Sequence, residues 1–332
     1  MAPPGRWTLA AALGLLVASC TRPVLRPTTS EVVEATGARL ERGEYLVDVV
    51  SACGVCHTGR AAGDFVFDGE SSDQYLGGGY SLELPEMGLD LYFPNLTPDR
   101  ATGLGAWSDD EVMRAIRDGV SRDGRLLVPA MPFRSYRAMS DEDTRAIVAW
   151  LRSVPGVRSE TPRASRVRGI PGFLLRHGAE HRAPVTSVTA PDRRDAVAYG
   201  GYLVRVAGCP DCHARKPNGV MRARRDPLWM AGGAWDDLPG VGRVYMRNLT
   251  PDRDTGLGRF DAKQIANAMR SGRRLDGKRM APPMSLYMSH WSALHDEDLD
   301  AIVAYLQALP PARNPIKERE LDPSFRKELE HE

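Results

Sequence analysis

The chain has no charge surplus. Its 332 residues carry 44 Lys and Arg against 43 Asp and Glu, a formal net charge of +1. A protein that grips nucleic acid through phosphates needs an excess of cationic side chains, so that class of partner is excluded. A disordered acidic chain is excluded too, because 42% of the residues are hydrophobic. Runs of β alternation are short, which argues against a sandwich or barrel. Cysteine is scarce, at five residues, and its placement carries most of the chemistry.

The first 19 residues read as an export signal. Arg6 gives a weakly positive start and Trp7 to Ala18 a short apolar run, too short to cross a bilayer as a helix. The run ends in Val17-Ala18-Ser19-Cys20, which resembles the bacterial lipoprotein box. The resemblance implies acylation of Cys20 and a lipid anchor on the periplasmic side of a bacterial membrane. Residues 20–37 then form a polar tether.

The other four cysteines fall in two tight groups, Cys53/Cys56 and Cys209/Cys212, each followed at once by a histidine, His57 and His213. In a Cys-x-x-Cys-His segment the two thiols can add to the two vinyl groups of a haem. The adjacent imidazole then lies under the iron and ligates it. Zinc sites and redox dithiols also use Cys-x-x-Cys. A zinc site needs a second Cys or His pair nearby, and a thioredoxin-like site needs a βαβ pattern; neither half offers these. The spacing therefore predicts two covalently bound haem c groups, with one cysteine left for lipid and none for a disulfide.

The chain is a repeat. Tyr45-Leu46-Val47 answers Tyr202-Leu203-Val204, and Asn95-Leu96-Thr97-Pro98-Asp99 recurs as Asn248-Leu249-Thr250-Pro251-Asp252. Thr102-Gly103-Leu104-Gly105 recurs as Thr255-Gly256-Leu257-Gly258, and Pro129-Ala130-Met131 answers Pro282-Pro283-Met284. From the Asn to the Met, the offset stays at 153 residues. Such registration means one fold used twice. The expected domains are 38–156 and 193–311, both helical, so the fold class is all-α. A Pro- and Arg-rich segment, 157–192, joins them. Phe173 and Leu175 within it suggest an ordered strap packed across both domains. Residues 312–332 read as a charged, solvated tail.

Helix signals place the elements. Residues 39–52 lead into the first Cys. Ser108 with Glu111 forms a capping box for 109–118, and Gly119 stops it. Ser140 starts the helix that carries Ile147, Val148 and Leu151 on one face. The second half repeats this at 196–208, 262–271 (Asp261 cap, Gly272 stop) and 296–309. Residues 77–95 and 232–248 are rich in Gly and Pro and suggest a small hairpin in each half. Gly43 and Gly200 are placed to let each first helix approach the last one closely, against Trp150 or Tyr305.

Met131 and Met284 are the expected sixth iron ligands. They occupy matched places and follow their histidines by 74 and 71 residues. Met139 and Met280, the nearest alternatives, have no counterpart in the other half. A thioether favours ferrous iron, so His/Met ligation raises the potential. Asn-Leu-Thr-Pro-Asp reads either as a wrap around the haem propionates or as a plain turn. His177 and His181 stand i, i+4 and read as a solvated pair rather than a metal site.

At these residues each half resembles a class I cytochrome c domain. The Tyr-Leu before Cys-x-x-Cys-His, the Asn-Leu-Thr-Pro-Asp block and the Pro-x-Met are similar to the cytochrome subunits of bacterial membrane-bound alcohol, gluconate and aldehyde dehydrogenases. Those subunits often carry three haem motifs; this chain has two. The resemblance implies an electron carrier, not an enzyme. It would take electrons from a periplasmic dehydrogenase and pass them toward a quinone or terminal oxidase. The rival reading is a two-haem peroxidase, which needs one haem with an open coordination position. A third reading makes the basic strap and the cluster Arg215, Lys216, Arg222, Arg224 and Arg225 a docking surface for a partner, although the cluster reads more readily as a solvated face.

Overall fold

A computed structural model describes residues 25–58, 74–79, 81–84, 88–161, 164–169 and 183–331. The export signal, Cys20, Phe173, Leu175, His177 and His181 lie outside the described residues.

Helix α1 (Gly37–Glu44) starts at Thr36, whose side chain accepts from the Arg39 N–H at 3.3 Å. It then widens into a π turn, Tyr45–Val50, which buries Tyr45, Leu46, Val47 and Val50. The expected single α-helix to residue 52 is thus replaced by an α–π pair ending at Val50. The short helix α2 (Gly54–His57) carries the first Cys-x-x-Cys-His. Helix α3 (Asp109–Asp118) has the expected box: Ser108 Oγ accepts from Glu111 N–H at 3.1 Å, and Glu111 accepts from Ser108 N–H at 2.8 Å. A short helix α4 (Phe133–Tyr136) follows Met131, and α5 (Asp141–Ser153) closes the half.

The second half repeats the order with α6 (Ala196–Val206), α7 (Cys209–His213), α8 (Ala262–Ser271), α9 (Met284–Trp291) and α10 (Asp296–Ala308). In both halves the first and last helices cross backbone against backbone. A Cβ on Gly43 would sit 2.1 Å from the Ala146 carbonyl oxygen, and one on Gly200 1.7 Å from that of Ala301. Only glycine permits this approach.

The fold is helical, as expected, with a small sheet in each half. β1 (Ser81–Leu84), β2 (Leu89–Tyr92) and β3 (Arg166–Val167) form an antiparallel sheet, with Leu82 opposite Leu91 and Leu89 opposite Val167. β4 (Trp235–Leu238), β5 (Gly242–Tyr245) and β6 (Glu320–Leu321) form its counterpart, with Asp236 opposite Val244 and Gly242 opposite Leu321. The third strand of each sheet comes from beyond the last helix, so the repeated unit runs on to Val167 and Leu321.

The tail is therefore not a solvated extension. Ala312 is buried and its carbonyl accepts from Asn248 Nδ2 at 2.8 Å. Leu321 is buried against Val241 and Val244, and Phe325 and Leu329 of α11 (Pro323–His331) pack on the same cluster. The apolar face at 321, 325 and 329 outweighs the surrounding charge because burial of apolar area sets docking. The described parts of the 157–192 segment lie on the first half. Val157 O accepts from Asn95 Nδ2 at 2.7 Å, and Val185 N–H donates to Asp118 at 2.7 Å.

The two halves share one core, with Leu46, Val50 and Met139 from the first and Leu203 and Ile302 from the second. Their polar contacts are reciprocal. Tyr45 donates to Asp298 at 2.9 Å, and its repeat counterpart Tyr202 donates to Asp143 at 2.6 Å. Asp143 and Asp298 are themselves counterparts, each in the first turn of the closing helix. Arg42 adds two bonds to Asp143, both 2.9 Å. The halves are thus related by an approximate two-fold arrangement, as in an isologous dimer.

Candidate functional site

Each Cys-x-x-Cys-His forms a short helical turn, so both sulfurs and the imidazole leave the backbone within one turn of one another. No disulfide joins these cysteines. Burial pushes the Cys53, Cys209 and Cys212 thiols up to about 12, which keeps them protonated at neutral pH.

His57 and His213 are buried, at 8% and 5% exposure. Nδ1 of His57 lies 2.8 Å from the Pro94 carbonyl oxygen, and Nδ1 of His213 lies 2.8 Å from that of Arg247. A carbonyl only accepts, so Nδ1 carries the hydrogen and the Nε2 lone pair is left for a metal. Burial lowers both imidazole pKa values, against the opposing backbone bond. The neutral, ligating form is therefore favoured at neutral pH.

Pro94 and Arg247 immediately precede the repeated Asn-Leu-Thr-Pro block and stand 153 residues apart. Their role was missed in the sequence; the constant offset was the available signal. The block itself is a lashing. Asn95 Oδ1 accepts from Thr97 N–H at 2.8 Å and its amide donates to Thr102 at 3.0 Å. Asn248 repeats both bonds with Thr250 and Thr255, at 2.9 and 3.0 Å. These bonds fix the carbonyl that orients each histidine.

In the first half the residues converge on one cavity of about 420 Å³. Cys53, Cys56 and His57 line it together with Met131, as expected, and Asn95 and Thr102 lie on the same lining. Leu104, Trp107, Ile116, Val128, Ile147 and Leu151 supply apolar walls. Met139 is fully buried in the core and does not line the cavity. In the second half Met284 begins α9 and packs, like Cys209, on the shared core.

A covalently held haem fits these residues. Paired thiols, an imidazole with a free Nε2, a thioether and apolar walls match the ring and its iron. Two further groups suit its carboxylates. The buried Thr161 hydroxyl lines the cavity and makes no hydrogen bond among the described residues, and Arg125 shares that lining. An orphaned buried hydroxyl is a cost to folding that a bound acceptor removes.

The comparisons with known proteins agree with this geometry. Residues 38–151 match the family described as cytochrome c oxidase, cbb3-type, subunit III, and residues 197–310 match the cytochrome c family. The chain is 29% identical to the cytochrome c subunit of alcohol dehydrogenase (quinone) from Gluconobacter oxydans, over 92% of this chain and 60% of that protein. It is 27% identical to the fructose dehydrogenase cytochrome subunit of Gluconobacter japonicus, over 89% of this chain and 58% of that one. A dihaem cytochrome c-type protein of Cereibacter sphaeroides is 27% identical, over 91% of this chain and 95% of its own length. The chain thus spans little more than half of the two dehydrogenase subunits. Two Cys-x-x-Cys-His turns, two reciprocal halves and two matching families lead to one conclusion: the chain belongs to the c-type cytochromes and consists of two tandem cytochrome c domains.

Proposed function

We propose that the chain is a dihaem electron carrier with no substrate of its own. The observation that carries this reading is the convergence of Cys53, Cys56, His57 and Met131 on one apolar cavity, in a unit that the second half repeats. Cys53 and Cys56, and likewise Cys209 and Cys212, would hold a haem through thioether bonds. His57 with Met131, and His213 with Met284, would ligate the two irons. Bound haem supplies reversible one-electron chemistry between ferric and ferrous iron.

The protein's own groups set the conditions. The Pro94 and Arg247 carbonyls hold each imidazole in its ligating tautomer. The apolar walls exclude water, and the thioether sulfur favours the reduced state, so both potentials are expected to be positive. With an imidazole and a thioether both committed to each iron, the protein would leave no place for peroxide.

The donor in this reading is a periplasmic dehydrogenase, and the acceptor lies on the quinone or terminal-oxidase side. What supports it is the likeness to proteins named as dehydrogenase cytochrome subunits. Export and a lipid anchor at Cys20 belong to the same proposal, on the strength of the Val17-Ala18-Ser19-Cys20 sequence. No helix among the described residues is long and apolar enough to cross a membrane.

Spectroelectrochemical titration of wild type and Met131→Ala tests the proposal. Wild type should show two one-electron steps with Met–iron spectral features. The variant should lose one set and keep the other. Unchanged spectra in the variant would remove Met131 from the iron.

A further inference from the structure

The two haem motifs meet at the domain seam. Ser51, two residues before Cys53, donates its hydroxyl to the Val206 carbonyl, three residues before Cys209, at 3.0 Å. Each domain also places the loop that bears its methionine on the other domain's motif. Pro132, next to Met131, lies where a Cβ on Gly208 would meet it at 3.6 Å, and Ser135 hydrogen-bonds Asp211 between Cys209 and Cys212. In return Leu286, just after Met284, packs on Ala52 and Val55. Trp291 Nε1 donates to the Val50 carbonyl at 3.1 Å, locking α9 against the π turn.

Tyr287 sits at the centre of this seam. It belongs to α9 of the second domain, yet it lines the cavity of the first beside Cys56. Its side chain is half-buried and packs on the core that Met284 and Cys209 also touch, and desolvation raises its hydroxyl pKa well above the usual value. Tyr287 follows Met284 by three residues on α9, so one ring joins the second domain's methionine turn to the first domain's cavity.

We propose that Tyr287 is the bridge between the two haem sites, filling the seam between the first domain's cavity beside Cys56 and the Met284 turn of the second so that electrons cross through packed atoms. This rests on the dihaem reading above. An electron crossing the seam oxidises one iron from ferrous to ferric and reduces the other from ferric to ferrous; no proton and no other reactant is needed. Tunnelling decays with distance and more steeply across a void than through bonded or touching atoms. A conjugated ring filling the seam favours exchange; a smaller aliphatic group leaves a gap.

The test uses the full, haem-loaded chain, half reduced, with the ligand-methionine methyl resonances followed by NMR. The concentration-independent part of the line broadening gives the exchange rate within one molecule. In Tyr287→Leu that rate should fall several-fold, while haem content and the absorption spectrum stay as in wild type. Tyr287→Phe, which keeps the ring, should restore it. Tyr287→Met gives the same fall as Leu, so poor haem loading of one variant leaves the other to decide. A wild-type exchange rate in either aliphatic variant overturns the bridge. Wild type that carries no haem overturns the dihaem reading instead.

Discussion

At the residue scale, the haem motifs were legible because covalent chemistry demands a fixed spacing. Cys-x-x-Cys-His occurs once in each matched half without the partners a zinc or dithiol site needs, and the 153-residue offset singled out Met131 and Met284 as candidates among twelve methionines. The carbonyls of Pro94 and Arg247 were not legible, because a backbone oxygen leaves no side-chain signature. The crossing glycines were, and they yield a clean prediction. Replacing Gly200 with Ala improves helix propensity by about 1 kcal/mol. The added Cβ would lie 1.7 Å from the Ala301 oxygen, and overpacking of this kind costs about 3 kcal/mol. The clash wins, so Gly200→Ala should lower the thermal midpoint. A midpoint equal to wild type would show that α6 and α10 can part without loss.

At the scale of elements, caps and stops placed the helices to within a few residues. The π turn at Tyr45–Val50 escaped notice, since its sequence differs little from the α-helical counterpart in α6. The strands β3 and β6 escaped for a different reason. Each has two residues and pairs with a partner more than 70 residues away, so no local periodicity marks them. The tail misled through its charge, although Leu321, Phe325 and Leu329 repeat at helical spacing.

One charged group in that tail is now testable. The hydrogen bond from Arg274, then the charge of Arg247, holds the Glu318 carboxyl at about 2, below its ordinary 4.5. The bonds measure 3.0 and 2.8 Å. A depressed carboxyl stabilises docking above its unfolded pKa, and that contribution is lost as pH falls from about 4.5 to about 2. Amide exchange in residues 313–331 should therefore be faster in Glu318→Gln than in wild type at neutral pH. The difference should vanish near the acid end of that window. Equal protection at neutral pH would mean that apolar contacts alone hold the tail.

At the scale of the whole molecule, the repeat announced two domains but not how they meet. Tyr45 with Asp298 and Tyr202 with Asp143 join residues 253 and 59 positions apart, which no local pattern reveals. The reciprocal seam makes the two domains one cooperative unit, so heating should give a single unfolding transition. Tyr45→Phe removes the closest donor to a buried carboxylate and should cost about 1–3 kcal/mol. Tyr202→Phe should cost less, because Arg42 still binds Asp143 twice. Two separate transitions in calorimetry, or equal costs for the two variants, would contradict the shared seam.

Redox function requires a porphyrin bonded to each pair of sulfurs. Intact-mass spectrometry of the chain matured in a host that attaches haem measures this directly. The account predicts a polypeptide heavier by two haem groups, with Cys53/Cys56 and Cys209/Cys212 as the modified peptides. A mass with no added porphyrin, or with only one, would contradict it.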